Sequence, residues 1–436
     1  MNYKIMTYGC QMNEHESEKI AGVLKNMGYI ETQNNEDCDV IVFNTCCIRE
    51  NAEKKVASHI GNLKPLKLKK RNLIIAVVGC MTQQNGYADF LKKKFPFIDI
   101  MLGTHNINLF KDVLEDYLKN RKKTVSIIED NKMIDESVLP HRQNTVSASV
   151  NIMYGCDNFC TYCVVPYVRG RERSRKKDDI VREVNGLLNN GYKEITLLGQ
   201  NVNSYNYEGD FADLLEELAD TDKKFRLRFM TSHPKDLSEK IVDVMAKYDN
   251  ICNAIHLPLQ AGSDRILKLM NRKYTSLDYL EKINMLRNKV CDIEISTDIM
   301  VGFPEETEDD FMCTYNLMEK VKFDYAFTFI YSRRSGTAAY SMENQIEYSV
   351  KRARIQKIIA LQKEISLTKN KTCIGKTYEV LTEGISDIGK NMMTGKTSLD
   401  KKVFFEGNAE HINNFCNIAI NRATPTALFG SLKSTI

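Results

Sequence analysis

The chain has 436 residues, 43% hydrophobic and 27% charged, with a net charge of +4. These proportions are those of a globular protein of about three domains, and the absence of any run of about 18 apolar residues excludes a membrane-spanning helix. Thirteen cysteines, behind a start (MNYKIMTYGC) without the charged and apolar regions of a secretory signal, point to a reducing cytoplasm; there, thiols serve metals or chemistry rather than disulfides.

Over residues 1–120, three apolar runs end in cysteine: Lys4 to Cys10, Val40 to Cys46 and Ile74 to Cys80. Each precedes a segment of helical pattern, at 14–28, 49–63 and 83–94. Strand–helix alternation predicts a parallel sheet with helices on its faces. Ligand sites in such sheets gather at the carboxyl ends of the strands. Cys10, Cys46 and Cys80 are therefore expected to converge on one edge as a metal centre. Residues 121–144 are polar and charged and read as a linker.

The region 145–370 begins with a strand at 146–154 that leads into Cys156, Cys160 and Cys163. Chance would give this C-x3-C-x2-C spacing about 0.01 times in such a chain. Three thiolates on one loop suit three irons of a [4Fe–4S] cube and leave the fourth open to a non-protein ligand. Zinc prefers four ligands, usually as two separated pairs, and no second pair lies nearby. Further strands are expected at 194–198, 226–230, 253–258, 293–301 and 324–330. Helices are expected at 178–190, 211–220, 238–247, 263–270, 276–289 and 307–321. About six βα units of this kind curl into a barrel or an incomplete barrel, closed by a helix at 347–370. In residues 372–436 the pattern changes to five short strands, at 376–382, 391–398, 402–406, 415–421 and 426–430. These predict a small β-barrel of the sort that binds RNA. The fold class is α/β throughout the first two regions.

Candidate cofactor residues sit at expected strand ends. Tyr162 lies inside the cysteine loop. Gly199, Gln200 and Asn201 follow one strand, and Ser232 another. His256 and Gln260 flank a third end, and Asp298 and Gly302 a fourth. Amides and small residues there suit an amino acid's polar groups, and Asp298 suits ribose hydroxyls, although such residues also form ordinary turns. No P-loop, dinucleotide fingerprint or Ser–His–Asp pattern appears. Arg169, Arg171, Arg173, Arg175, Lys176 and Lys177 form a basic run just after the triplet, open to a substrate or cofactor anion. Runs at Lys64–Arg71 and Lys351–Lys357 read as solvated faces or RNA contacts. Cys38, Cys252, Cys291, Cys313, Cys373 and Cys416 read as ordinary thiols.

The residues together resemble a known family. Residues 155–175 (GCDNFCTYCVVPYVRGRERSR) resemble the radical S-adenosylmethionine methylthiotransferases, as do Tyr8 to Glu14, Asn44-Thr45-Cys46 and Gly79-Cys80-Met81. Gln11-Met12-Asn13, Ile48 to Glu53, Gly103 to Asn106, Met270 to Thr275 and Tyr331 to Ala339 resemble its MiaB-type branch, which acts on tRNA. The likeness extends to a C-terminal TRAM-like barrel. Cys47 doubles the second cysteine where the family usually has a small or apolar residue, and strand-end register favours Cys46 as the ligand. Ala261 and Glu305 stand where Ser and Gly are common.

The resemblance implies two [4Fe–4S] clusters, on Cys156, Cys160 and Cys163 and on Cys10, Cys46 and Cys80. It implies S-adenosylmethionine at the open iron, held by the strand-end residues named above. One cluster would cleave it to a 5′-deoxyadenosyl radical and the other would supply sulfur. The product would be a methylthio group at carbon 2 of N6-isopentenyladenosine at position 37 of tRNA. A low-potential electron donor is implied, with no membrane partner and a monomeric state. The chemistry agrees with the parts: an aromatic C–H offers no acidic proton, so the scarcity of histidine (7) is no handicap. Unstacking the base costs a few kcal/mol, less in a loop than in a duplex, and the apolar isopentenyl group adds burial worth roughly 0.8 kcal/mol per CH₂. The alternatives are the same chemistry on another tRNA adenosine or a ribosomal protein, or a non-catalytic RNA-binding protein with structural metal.

Overall fold

The computed structural model describes residues 1–47, 50–128, 138, 140–142, 144–389 and 391–436, with the backbone alone for 50–52. Ile48 and Arg49 of the family-like run, and much of the segment 121–144, lie outside the described residues.

The N-terminal sheet has six parallel strands in the order Ile30–Glu31, Asn2–Thr7, Val40–Thr45, Ile74–Gly79, Ile100–Leu102 and Thr124–Ser126. The strands Val40–Thr45 and Ile74–Gly79 are buried along their whole length, as expected of parallel strands covered on both faces. The three cysteine-ending strands are the central ones. The flanking strands are two or three residues long, too short for a periodic signal. Thr124–Ser126 joins this sheet although the surrounding segment reads as linker.

The central region contains six parallel strands in two three-stranded sheets. Ser147–Asn151, Glu194–Leu198 and Arg226–Phe229 form one; Ala254–His256, Glu294–Val301 and Tyr325–Ile330 form the other. A single parallel bridge, Leu227 to Ile251, joins them into an incomplete barrel. Along Glu294–Val301, Ile295, Thr297, Ile299 and Val301 are buried under the helices. Ser296, Asp298 and Met300 point the opposite way, into the barrel. Helices Ser276–Lys289 and Glu308–Val321 start at capping boxes, Thr275 with Asp278 and Thr307 with Asp310. The helix Tyr348–Lys371 clamps the last strand: Gln362 donates to the Phe323 carbonyl and Ser366 to that of Asp324, both at 2.8 Å.

Five strands, Thr377–Ile385, Met392–Thr397, Lys402–Glu406, Leu428–Thr435 and Phe415–Ala423, close the C-terminal barrel in that spatial order. Its hairpin tip sits on the amino ends of the central strands. Arg226 donates to the Lys396 carbonyl and Arg228 to that of Thr397, both at 2.5 Å. Lys401 pairs with Glu294 at 2.6 Å, and Arg228 with Glu194 at 2.9 Å. Among the described residues no helix is long and apolar enough to cross a membrane.

Candidate active site

Cys156, Cys160 and Cys163 occupy the loop between the strand Met153–Tyr154 and the short helix Val165–Arg169. Phe159 turns the loop through a positive φ of 45°. The loop is anchored from outside itself. Thr161 donates its amide to the Met270 carbonyl at 3.1 Å and its hydroxyl to that of Leu269 at 2.9 Å. The side chain of Asn158 donates to the Cys156 sulfur at 3.3 Å, and that of Arg272 to the Cys160 sulfur at 3.5 Å. Burial, and next the neighbouring Cys160, push the Cys163 thiol up to about 12. Crowded, half-buried thiols of this kind ionise readily only beside added positive charge, which iron would supply. Among the described residues no three His, Cys, Asp or Glu side chains are gathered closely enough for a single metal ion; it is by their chemistry that the three thiols fit a cluster.

Cys10, Cys46 and Cys80 end three central strands of the N-terminal sheet. Two glycines let the chains approach. Gly9 (φ 119°) lies so near Cys46 that an added Cβ would fall 2.9 Å from its sulfur. At Gly79 (φ 101°) an added Cβ would meet the Thr45 carbonyl oxygen at 2.6 Å. Cys10 caps the helix Gln11–Asn26 through its extended backbone, without using its sulfur as the cap. Asn13 donates to the carbonyls of Tyr8 and Thr45, both at 2.9 Å, tying two strand ends together. The Cys47 thiol packs beside Cys80. Cys47 and the Arg169 guanidinium hold Cys80 down to about 7 against burial. Cys46 and Cys47 are both buried.

Residues 163–169 connect the two sets directly. Val164 and Val168 pack against Cys47 and Cys80. Arg169, 5% exposed, enters the N-terminal site. It donates to the Cys80 sulfur at 3.2 Å, to Asn13 Oδ1 at 2.8 Å, and pairs with buried Glu16. The basic run that follows the triplet is thus divided. Arg169 and Arg175 are buried, Arg175 bonding the Asn151 carbonyl and Glu183, whereas Arg171 is exposed. In the other runs, Lys67 pairs with Asp99, Lys70 with Asp39, and Arg354 with Glu306 and Glu308.

The strand-end candidates line the carboxyl side of the half-barrel. His256 lies 3.0 Å from Ser296 Oγ and 3.6 Å from the Asp298 carboxylate. Gln260, at φ 71°, donates its amide to the Asp298 carbonyl at 2.8 Å. Gln200 accepts from the Gly155 amide at the start of the cysteine loop. At Gly199 an added Cβ would strike Met153 at 2.5 Å. Tyr162 is half-buried beside Arg272. Ser232 is buried, and its hydroxyl has no hydrogen-bond partner among the described residues. An orphaned buried hydroxyl at a strand end suits a polar cofactor group. Two more candidates have partners within the protein. Asn201 bonds Asp236 at 2.7 Å and the His233 amide at 3.0 Å. The Gly302 amide donates to Glu306 at 3.0 Å.

Comparison with known proteins agrees with this geometry. The Radical SAM superfamily model matches residues 150–318, the model of Uncharacterized protein family UPF0004 residues 2–103, and the TRAM domain model residues 371–433. The tRNA-2-methylthio-N(6)-dimethylallyladenosine synthase of Thermoanaerobacter sp. (strain X514) is 49% identical over 100% of this chain and 93% of its own length. The synthase of the same name from Clostridium botulinum (strain Loch Maree / Type A3) is 50% identical over 98% and 96%. The chain belongs to this synthase family. Its fold is shared more widely. TsrM of Kitasatospora setae, a radical S-adenosylmethionine methyltransferase solved with cobalamin and a [4Fe-4S] cluster, superposes with TM-score 0.57 at 12% identity. That match covers 87% of this chain and 80% of TsrM. The cobalamin-dependent S-adenosylmethionine radical enzyme OxsB gives 0.53 at 12%, over 83% and 56%.

Reading by spacing alone misses Asn13 and Arg272 as neighbours of cysteine sulfur and Glu16 as the partner of Arg169, and it leaves Arg169 in a basic run open to a substrate or cofactor anion. Arg272 lies in the family-like run Met270–Thr275, yet its partner Cys160 is far away in sequence. Asn13 and Glu16 are one helical turn apart, at i and i+3 on the helix after Cys10, which places both on one face. That spacing was the available signal.

Proposed function

We propose that this chain attaches a methylthio group to carbon 2 of N6-dimethylallyladenosine at position 37 of tRNA, in the cytoplasm, with electrons from a low-potential donor. Cys156, Cys160 and Cys163 would hold one [4Fe–4S] cluster, and Cys10, Cys46 and Cys80 a second. When bound, the first cluster supplies one-electron cleavage of S-adenosylmethionine and the second supplies sulfur. The observation that carries the reading is the joining of the two cysteine sets through Val164, Val168 and Arg169.

The chain's own residues have separable tasks. Ser232, His256, Gln260 and Asp298 present hydroxyl, imidazole, amide and carboxylate groups on one side of the half-barrel, fitted to the polar atoms of S-adenosylmethionine. Gln200 ties the cysteine loop to a strand end through the Gly155 amide. Arg272 places positive charge beside Cys160, and Arg169 does the same beside Cys80. Hydrogen bonds to sulfur and burial are the levers by which protein sets cluster potential.

The test is anaerobic reconstitution followed by turnover with anticodon stem-loops. The expected result is close to eight irons per chain, 5′-deoxyadenosine under dithionite, and methylthiolation of the dimethylallylated stem-loop over the unmodified one. Iron near four per chain, or zinc in its place, contradicts the two-cluster assignment.

A further inference from the structure

The stretch between the two cysteine sets has one side chain turned to solvent that its neighbours do not explain. In the helix Val165–Arg169, Pro166, Val168 and Arg169 are buried, while Tyr167 is 54% exposed. A single exposed ring is ordinary; a contiguous group of exposed apolar and planar side chains marks a contact surface. Phe159, from the cysteine loop, stands edge-on to Tyr167 with ring centroids 6.0 Å apart. The Arg171 guanidinium lies over the Phe159 ring at 4.7 Å and is itself largely exposed. Two aromatic rings and a planar cation thus form a continuous ledge beside the loop that carries Cys156 and Cys160.

We propose that this ledge receives an unstacked base of the tRNA anticodon loop next to the target adenosine. The inference rests on the proposed function and adds to it the protein surface that takes the neighbouring nucleotide. A base drawn from its stack leaves its neighbour with an uncovered face. Proteins that read single-stranded RNA cover such faces with aromatic rings and arginine planes. The charge balance favours a polyanion: Arg171 and Lys176 are exposed, and Asp157, paired with Arg171, is the acidic neighbour on the loop. The Asp157 carboxylate, 3.3 Å from Arg171, accepts from the Glu172 amide as well, and so anchors the guanidinium that lies over Phe159. The position also fits the chemistry, because residues 163–169 bridge the two sets. A nucleotide held on Tyr167 lies beside the cysteine loop through Phe159.

The experiment uses the full chain and a dimethylallylated anticodon stem-loop carrying 2-aminopurine in turn on each side of the target adenosine. Stacking on Tyr167 predicts a change in 2-aminopurine emission at one of the two positions when wild-type protein binds. Tyr167→Ala is expected to abolish that change and to weaken binding about tenfold, the scale of losing one stacked base. Tyr167→Trp should retain both. Tyr167→Leu keeps apolar bulk without a π face and should behave as Ala; iron content and circular dichroism confirm that each variant is folded. Equal affinity and an equal emission change in wild type, Ala and Leu overturn the ledge. Failure of wild-type protein to bind or modify the stem-loop overturns the proposed function instead.

Discussion

Cys156, Cys160 and Cys163 lie within eight consecutive residues, whereas Cys10, Cys46 and Cys80 reach one place from the ends of three strands. The loop set is shaped by one turn and tied down by Thr161, Arg272 and Asn158. The sheet set depends on register: Thr7 beside Asn44 and Thr45 beside Gly79 align the three carboxyl ends. The spacing within a local set is fixed by its own turn, and only its anchors, Leu269, Met270 and Arg272, lie elsewhere in the chain. A set assembled by register is only as sound as the sheet, and here as the neighbouring domain, because Arg169 reaches it from outside.

Separate removal of one thiol from each set has the largest expected effect. Cys160→Ala should abolish both 5′-deoxyadenosine formation and methylthiolation. Cys46→Ala should leave 5′-deoxyadenosine formation in place while methylthiolation is lost. Chromatography of both products from anaerobic assays distinguishes them, and identical profiles for the two variants would erase the contrast. Arg169→Gln comes next. It strips a buried carboxylate, Glu16, of its partner, and breaking a buried pair in this way costs about 3–5 kcal/mol. Urea unfolding should show that loss, with iron depleted from the sheet set before the loop set. Arg169→Lys should recover part of the stability.

Acid should weaken the fold through histidine. Burial holds His233 down to about 2, and His15 well below its ordinary value. The unfolded chain takes up these protons below about pH 6.5, and the folded chain does not. Stability is therefore full above that pH and falls as pH drops through it, by about 1.4 kcal/mol per unit for each histidine. His233→Asn keeps an acceptor for the Lys235 amide. Its stability, measured by urea unfolding from pH 5 to 7, should decline less steeply than the wild type's by that amount. The smallest effect concerns Glu305, which sits at φ 67°. An L-residue in this region carries roughly 1–2 kcal/mol of strain. Glycine relieves it but gives back part through the freer unfolded chain. Glu305→Gly should raise the unfolding midpoint by an increment worth about 0.5–1 kcal/mol, with unchanged product ratios.

Much of the fold could be read because its elements announce themselves by period. The strand Glu294–Val301 alternates buried and half-buried positions along its whole length, and the apolar runs before Cys10, Cys46 and Cys80 are long enough to be unmistakable. Strands of two or three residues, such as Ile30–Glu31 and Thr124–Ser126, carry no period and went unread. The cysteine loop was legible because spacing alone encodes it. The roles of Arg169 and Arg272 were not, since an arginine in a charged run looks the same whether it meets water or a distant sulfur. Burial decides between those cases, and burial belongs to the tertiary fold.

The stopper formed by the C-terminal barrel has a practical consequence for dissecting this protein. Arg226 and Arg228 are almost wholly covered and spend their donors on the carbonyls of Lys396, Thr397 and Ser398. A chain cut after the helix Tyr348–Lys371 would uncork the floor of the catalytic domain and leave two guanidinium groups without those acceptors. Such a truncation removes a foundation along with the TRAM domain, so point substitutions on the barrel's outer surface are the sharper instrument for learning what that domain contributes.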